Sequence, residues 1–253
     1  MKILTLNTWN IQGPWRERWE VIFNEVRPLV PDILGCQELF DGAWAEEARK
    51  YLGYRYLAFP RQYAGLVMMS NHEVLEWDCY QMKTQSRTED YKRYVLYAKL
   101  RIRKDELNVF NTHLSWKPEE DGVRFSQIQE LLDYMDQKSK GHATVVMGDF
   151  NAAPETREVK QMTEKGYADL YAKRHPGEAG FTWDNRNLYA SSSSVKLPDR
   201  RIDFIFTKNE KDVLGDLKSV EIILKEPNAR GVFGSDHSGV FSVFEMKGKG
   251  SGE

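Results

Sequence analysis

Several runs in this 253-residue chain are apolar at consecutive rather than alternate positions, Val145-Val146-Met147 and Phe204-Ile205-Phe206 among them. A strand with one wet face alternates apolar and polar residues, whereas one apolar on both faces belongs to a sheet covered on both sides. Eleven segments read as strands: 2–7, 32–37, 54–59, 65–70, 74–82, 94–103, 107–114, 143–147, 201–207, 213–224 and 238–244. Four stripes at helical spacing accompany them. They are Trp15, Trp19, Ile22, Phe23 and Val26 ahead of Pro28; Trp44, Ala48 and Tyr51 or Leu52; Val123, Ile128, Leu131, Leu132 and Met135; and Val159 with Met162. Strands that outnumber helices and do not alternate with them one for one predict an α+β chain. Two packed sheets flanked by helices bury both faces of each sheet.

Hydrophobic residues make up 41% and charged residues 29% of the chain, enough for such a core without disulfides or metal staples. Cys36 and Cys79 lie outside any Cys-x-x-Cys pattern among apolar neighbours and read as buried free thiols. With 36 basic against 38 acidic residues the net charge is −2, so no global basic field draws the chain to nucleic acid or to an anionic membrane. The first apolar stretch stops at Asn7, short of the roughly 7–15 apolar residues of a secretory signal, and no run approaches the ~20 of a membrane helix. A cytoplasmic monomer is expected. No repeat or linker divides the chain. Residues 190–198, with four consecutive serines, read as a surface loop, and 247–253 as a fraying tail behind one domain of residues 1–246.

The chemistry-bearing residues sit at strand ends. Asn7 closes Ile3-Leu4-Thr5-Leu6, Glu38 follows Leu34-Gly35-Cys36-Gln37, Asn111-Thr112-His113 closes Leu107-Asn108-Val109-Phe110, and Gly148-Asp149-Phe150-Asn151 closes Thr144-Val145-Val146-Met147. Ser235-Asp236-His237 precedes the last strand. Any one of these alone is ordinary turn chemistry. Asp203 is different: inside an apolar strand an unpaired carboxylate costs several kcal/mol, so it needs a partner, and a histidine is the natural one. Asp149 and Asn151, two apart, point the same way in an extended segment. Glu38, Asn7 and Asp236 are hard oxygen donors suited to Mg²⁺ or Mn²⁺ rather than Zn²⁺. Phosphate-loop, dinucleotide and nucleophile-elbow patterns are missing, which weighs against ATPase, dehydrogenase and serine-hydrolase readings.

The ordered set Leu6-Asn7, Gln37-Glu38, Asn111-Thr112-His113-Leu114, Gly148-Asp149-Phe150-Asn151, Arg201-Ile202-Asp203-Phe204-Ile205 and Ser235-Asp236-His237 resembles the endonuclease/exonuclease/phosphatase superfamily over nearly the whole chain. The resemblance implies a four-layer αββα sandwich of two mainly antiparallel sheets flanked by helices, with the site at one edge of the sheets. It implies Glu38 as the main Mg²⁺ ligand, Asn7 and Asp236 in or near the metal shell, and Asp149 activating the attacking water. Asn151 would hold that water or a phosphate oxygen, His237 oriented by Asp203 would contact the scissile phosphate, and His113 would be a second phosphate ligand. Asn10, in Thr8-Trp9-Asn10-Ile11-Gln12-Gly13, also resembles a pattern of tyrosyl-DNA phosphodiesterases, though counting from the strand start favours Asn7. The abasic-endonuclease acid two residues after the first Asn is replaced here by Trp9.

The expected activity is divalent-metal-dependent hydrolysis of a phosphodiester by in-line attack of water, on a small or lipid-like diester. Phe181-Thr182-Trp183-Asp184 followed by Pro198-Asp199-Arg200-Arg201 is similar to neutral sphingomyelinases. The alternative is a nuclease or DNA-repair phosphodiesterase, with Arg87, Lys92, Arg93, Arg200 and Arg201 as a local basic cluster at the mouth and nucleic acid as partner. Trp116 and Trp183 fall in motif loops and read as core or as platforms for a base or alkyl group. A non-catalytic binding module is the third reading, and the filling of every expected site position weighs against it.

Overall fold

The computed structural model describes residues 1–245, and the expected tail at 247–253 lies outside them. In chain order the elements are β1 (Lys2–Asn7), α1 (Trp15–Leu29), β2 (Ile33–Gln37), α2 (Gly42–Leu52), β3 (Tyr56–Ala58), β4 (Val67–Ser70), β5 (Val74–Gln81), β6 (Tyr94–Ile102) and β7 (Asp105–His113). There follow α3 (Asp121–Ser139), β8 (Thr144–Asp149), α4 (Arg157–Glu164), β9 (Ala168–Asp169), α5 (Leu170–Arg174), α6 (Leu188–Ser191), β10 (Asp203–Lys208), α7 (Lys211–Leu214), β11 (Asp216–Ile223) and β12 (Gly239–Glu245). They build two six-stranded sheets, ordered β11-β12-β1-β2-β4-β3 and β5-β6-β7-β8-β10-β9.

Three apolar layers explain the strands that are apolar on both faces. Ile3, Ile33, Leu107, Val145, Met147, Ile205 and Val240 fill the space between the sheets. Leu4, Leu6, Leu34 and Phe241 on the outer face of the first sheet pack with Trp19, Ile22 and Val26 of α1 and Ala45 and Ala48 of α2. Phe110, Val146, Phe204 and Phe206 on the outer face of the second pack with Ile128, Leu131 and Met135 of α3 and Val159 and Met162 of α4. Each buried Val, Leu, Ile, Phe or Met among them contributes about 1.5–3 kcal/mol by leaving water. The result is the expected four-layer α+β sandwich of two mainly antiparallel sheets, each with one parallel pair.

Two pairs are parallel, β1 with β2 and β7 with β8, and both lie at sheet centres. Parallel neighbours need a crossover of a dozen or more residues, supplied here by α1 and α3. The carboxyl ends of all four parallel strands therefore reach one edge, delivering Asn7, Glu38, His113 and Asp149. β10 and β12 run antiparallel to β8 and β1, so their amino-terminal ends reach the same edge, where Asp203 pairs in register with Asp149. The Asn111 amide stitches the sheets together, donating to the Cys36 and Val67 carbonyls at 2.9 Å and accepting from Gln37 Nε2 at 2.6 Å.

Gly148 has to be glycine. Its φ is +143°, and a Cβ there would lie 2.0 Å from the Thr112 carbonyl oxygen across the β7–β8 pair. Gly148→Ala is expected to cost at least about 2 kcal/mol and to lower the melting temperature by roughly 5 °C or more in thermal denaturation. A melting temperature within a degree of wild type would contradict this.

The boundaries that local pattern missed have local causes. Val213 and Leu214 belong to α7, because Gly215 at φ 84° breaks the chain before β11. β9 has two residues, too few to show a period. α1 runs through Pro28 to Leu29, since a proline in the last turn removes only one hydrogen bond. Residues 190 and 191 finish α6 rather than opening a loop. Cys36 is buried but Cys79 is half-buried on the edge strand β5, and both are free thiols. Among the described residues no helix is long and apolar enough to cross a membrane.

Candidate active site

The converging strand ends open onto a cleft of about 420 Å³ whose walls carry Glu38, His113, Asp149, Asn151, Asp236 and His237. Trp9, Trp116 and Trp183 add rings to the same walls. The left-handed backbone of Trp9 (φ 54°), Glu38 (φ 56°) and Asn151 (φ 50°) turns these residues at the strand ends. Such strain in non-glycine residues collects where surrounding structure over-determines a site.

Asn7 is buried and donates from Nδ2 to both Glu38 Oε1 (3.1 Å) and Asp149 Oδ2 (3.0 Å), while its Oδ1 accepts the Trp9 N–H at 3.0 Å. It thus stands between two carboxylates as a donor; to serve as an oxygen ligand its amide must turn over, exchanging Nδ2 for Oδ1. Asp149 Oδ1 accepts the Asn151 N–H at 2.8 Å, and the Asn151 side chain donates to the Leu114 carbonyl at 3.0 Å. His113 Nε2 lies 3.4 Å from Asp149 Oδ2, and His237 Nε2 lies 3.7 Å from the same oxygen. Asp203 meets His237 through Oδ2, 2.9 Å from Nδ1. The edge of Trp183 packs on the His237 ring with centroids 5.2 Å apart.

The charges divide by environment. Burial first, then the Arg93 and His237 charges, hold His113 well below the ordinary histidine range, so it is neutral. Burial works against a charged His237 as well, but the Asp203, Asp149 and Asp236 carboxylates outweigh it and raise its pKa well above that range. Burial and Asp203 push Asp149 up to about 7, against the opposing pull of His237 and the Asn7 amide. Burial raises Asp236 to about 7, with Glu38 adding to the shift and His237 opposing it. Two carboxyls raised to about 7 by burial and by neighbouring acids sit beside Glu38 on the cleft walls, an oxygen-rich set with the donor chemistry of a hard divalent cation. A cation in that cluster fits the residues present. Oxygens of Asp149 and Asp203 and a nitrogen of His237 also lie within 4.8 Å of one another. There His237 Nδ1 and Asp203 Oδ2 already satisfy each other, while Asp203 Oδ1 is buried without a hydrogen-bond partner.

The remaining sequence candidates separate. Trp116 and Trp183 line the cleft. Asn10 does not, and its carbonyl accepts from Arg18 Nη2 at 2.8 Å. Arg87 is exposed away from the cleft walls. Arg93 is buried in an ion pair with Glu89 at 2.7 Å, and Glu89 in turn accepts the Trp116 N–H at 2.7 Å. Arg201 is buried against Asp169 at 2.8 Å. Each guanidinium is held against an internal carboxylate and neither lines the cleft.

Arg18 escaped the sequence reading. It is fully buried and donates to five carbonyls, those of Thr8, Trp9, Asn10, Gln12 and Gly234, at 2.8–3.0 Å. Burial lowers its pKa to about 10, so it remains charged and ties the loop after β1 to the segment carrying Asp236. The available signal was its position, three after Trp15 and four before Ile22, on an otherwise apolar helix face. Tyr91, Ser193, Ser194, Val195 and Leu197, which also line the cleft, carried no motif.

A sandwich of two mixed sheets, with acids, amides and histidines gathered at one strand edge, is a phosphoesterase architecture. The chain belongs to the Endonuclease/Exonuclease/phosphatase family, whose model matches residues 8–237. Among solved structures it is similar to TDP2 from D. rerio in complex with a single strand DNA product (TM-score 0.82, 19% identity, 97% of this chain and 99% of that one). It is also similar to a truncated TDP2 from Caenorhabditis elegans (TM-score 0.77, 19% identity, 96% of each chain). A beta toxin from Staphylococcus aureus matches at TM-score 0.77 with 17% identity over 97% of this chain and 100% of that one. No match was found among the curated proteins compared.

Proposed function

We propose that the cleft hydrolyses a phosphodiester by in-line attack of water, assisted by a divalent cation. The observation that carries this is the gathering, in one cleft, of three acids (Glu38, Asp149, Asp236) with one neutral and one cationic histidine. Glu38 and Asp236, with Asn7 after its amide turns, would hold Mg²⁺ or Mn²⁺, which when bound supplies Lewis-acid stabilisation of a phosphoryl oxygen. Asp149, a carboxyl near pKa 7 whose Oδ1 is fixed by the Asn151 backbone N–H, takes the proton from the attacking water. The Asn151 side chain positions that water or a phosphate oxygen. His237, cationic and held by Asp203, sets a positive donor against charge growing on the phosphate. His113, neutral, donates without adding charge.

Asp203→Asn removes the first of the attractions that raise His237. Its charged form then deprotonates at lower pH, so the alkaline limb of the pH–rate profile is expected to move down, with a fall in kcat. An unmoved limb and unchanged rate would make Asp203 merely structural.

The cleft volume and the net charge of −2 support a small diester as substrate. A second reading, a nuclease or DNA-repair phosphodiesterase, is supported by the rings of Trp9, Trp116 and Trp183 in the cleft and by the likeness to a DNA-bound TDP2. The test is a panel with Mg²⁺ and Mn²⁺: bis(p-nitrophenyl) phosphate, sphingomyelin, plasmid, abasic and 5′-tyrosyl oligonucleotides, and a phosphomonoester. Diester cleavage abolished by EDTA is expected. Efficient nicking of DNA with little action on small diesters would promote the nuclease reading, and no turnover of any diester would favour a binding module.

A further inference from the structure

Among the described residues Arg200 is the only arginine on the walls of the cleft, and its side chain makes no hydrogen bond or ion pair with any of them. Its Nε and Nη2 are buried without an acceptor. Its backbone is pinned by a two-way bridge to Trp183, with both N–H···O distances 2.9 Å. The side chain is part of a wall, shared with Asn151, between the cleft and a neighbouring hollow of about 530 Å³. The other arginines of that hollow are committed. Arg124 donates to the Ser115, Lys117 and Pro118 carbonyls and faces Glu158 at 3.6 Å, and Arg157 pairs with Asp121 at 2.9 Å. A guanidinium keeps its charge at any working pH, and its planar fork matches phosphate oxygens. Asp149 is the carboxylate that favours the charged form of Arg200, yet leaving such donors buried and unpaired is unfavourable, and an anionic acceptor on this wall satisfies them.

We propose that Arg200 holds a second anionic group of the substrate, a phosphate adjacent to the scissile one, seated on the wall between cleft and hollow. This rests on the phosphodiester reading above and narrows it. A choline-type headgroup would bring a cation toward a guanidinium, and a diester without a second charge would leave the donors unpaired. Nucleotide-like diesters with a neighbouring phosphate satisfy both conditions.

The probes are the p-nitrophenyl ester of thymidine 5′-phosphate with and without a 3′-phosphate, and p-nitrophenyl phosphorylcholine. Wild type is expected to favour the 3′-phosphorylated ester by about tenfold to a hundredfold in kcat/KM, the range of a charge-assisted hydrogen bond. Arg200→Gln should bring that ratio close to one, mainly through KM, and improve the relative rate on the choline ester. Arg200→Lys should keep part of the preference, retaining the charge but losing the fork. Calorimetric binding of thymidine 3′,5′-bisphosphate and thymidine 5′-phosphate separates the two levels of argument. If no ester is cleaved yet the bisphosphate binds more tightly only when Arg200 is present, the hydrolytic reading fails and the anion site stands. Cleavage without discrimination by wild type, or discrimination undiminished in Arg200→Gln, overturns the Arg200 assignment and leaves the hydrolytic reading intact. Neither cleavage nor preferential binding overturns both.

Discussion

Asp149→Asn is expected to lower kcat by about two to four orders of magnitude, the usual worth of a positioned base. The substitution is nearly isosteric. The new amide oxygen can accept the Asn151 N–H that Asp149 Oδ1 accepts now, and the Asn7 amide can turn to face the new NH₂. The fold is therefore retained while the proton acceptor is lost. The pH dependence separates this from a general disturbance. In wild type a protonated Asp149 cannot take a proton from water, so the rate falls as pH drops through its pKa. Burial and Asp203 place that pKa at about 7, and a bound cation moves the limb lower. In Asp149→Asn the acid limb should vanish. Single-turnover rates from pH 5 to 9 would measure both effects, and a variant within tenfold of wild type that keeps its acid limb would remove Asp149 from the reaction.

Glu38→Ala is expected to reduce Mg²⁺-dependent turnover by orders of magnitude and to abolish metal-linked stabilisation. The second readout follows from the site's own charges. Asp149 and Asp236 have folded-state values near 7, well above the ordinary carboxylate value of about 3.8. Groups raised in this way contribute stability that is present below about pH 4 and lost as pH rises through about 7. A cation in the cluster offsets that loss, so Mg²⁺ should raise the melting temperature more at pH 8 than at pH 5. At a hundred times its Kd an ion adds about 2.7 kcal/mol, which for a chain of this length is roughly 5–10 °C. In Glu38→Ala the increment should disappear at both pH values. Calorimetry showing an unchanged Mg²⁺ affinity in that variant would displace Glu38 as the principal ligand.

What could be read from the sequence was short-range. Val145-Val146-Met147 and Phe204-Ile205-Phe206 demanded cover on both faces because side chains alternate along a strand, and the sandwich provides that cover. The acids and amides at strand ends were legible because an apolar run stops sharply at each of them. Asp203 announced its need for a partner because an interior strand offers no water. Other features depended on which distant segments the fold brings together. Arg200 and Arg201 are neighbours in sequence and read there as parts of one basic cluster. Arg201 reaches Asp169, 32 residues away in the chain, because β9 pairs with β10, whereas Arg200 falls on the bridge to Trp183 and finds no acceptor. Arg93 is likewise paired with Glu89, both side chains being buried. The direction of the Asn7 amide is set by two carboxylates that arrive from β2 and β8. Hydrophobic period and turn chemistry act over a few residues and leave their mark on the sequence. The pairing of a buried charge is decided by packing across the two sheets, so only the tertiary structure showed which of the basic residues remain free to meet a substrate.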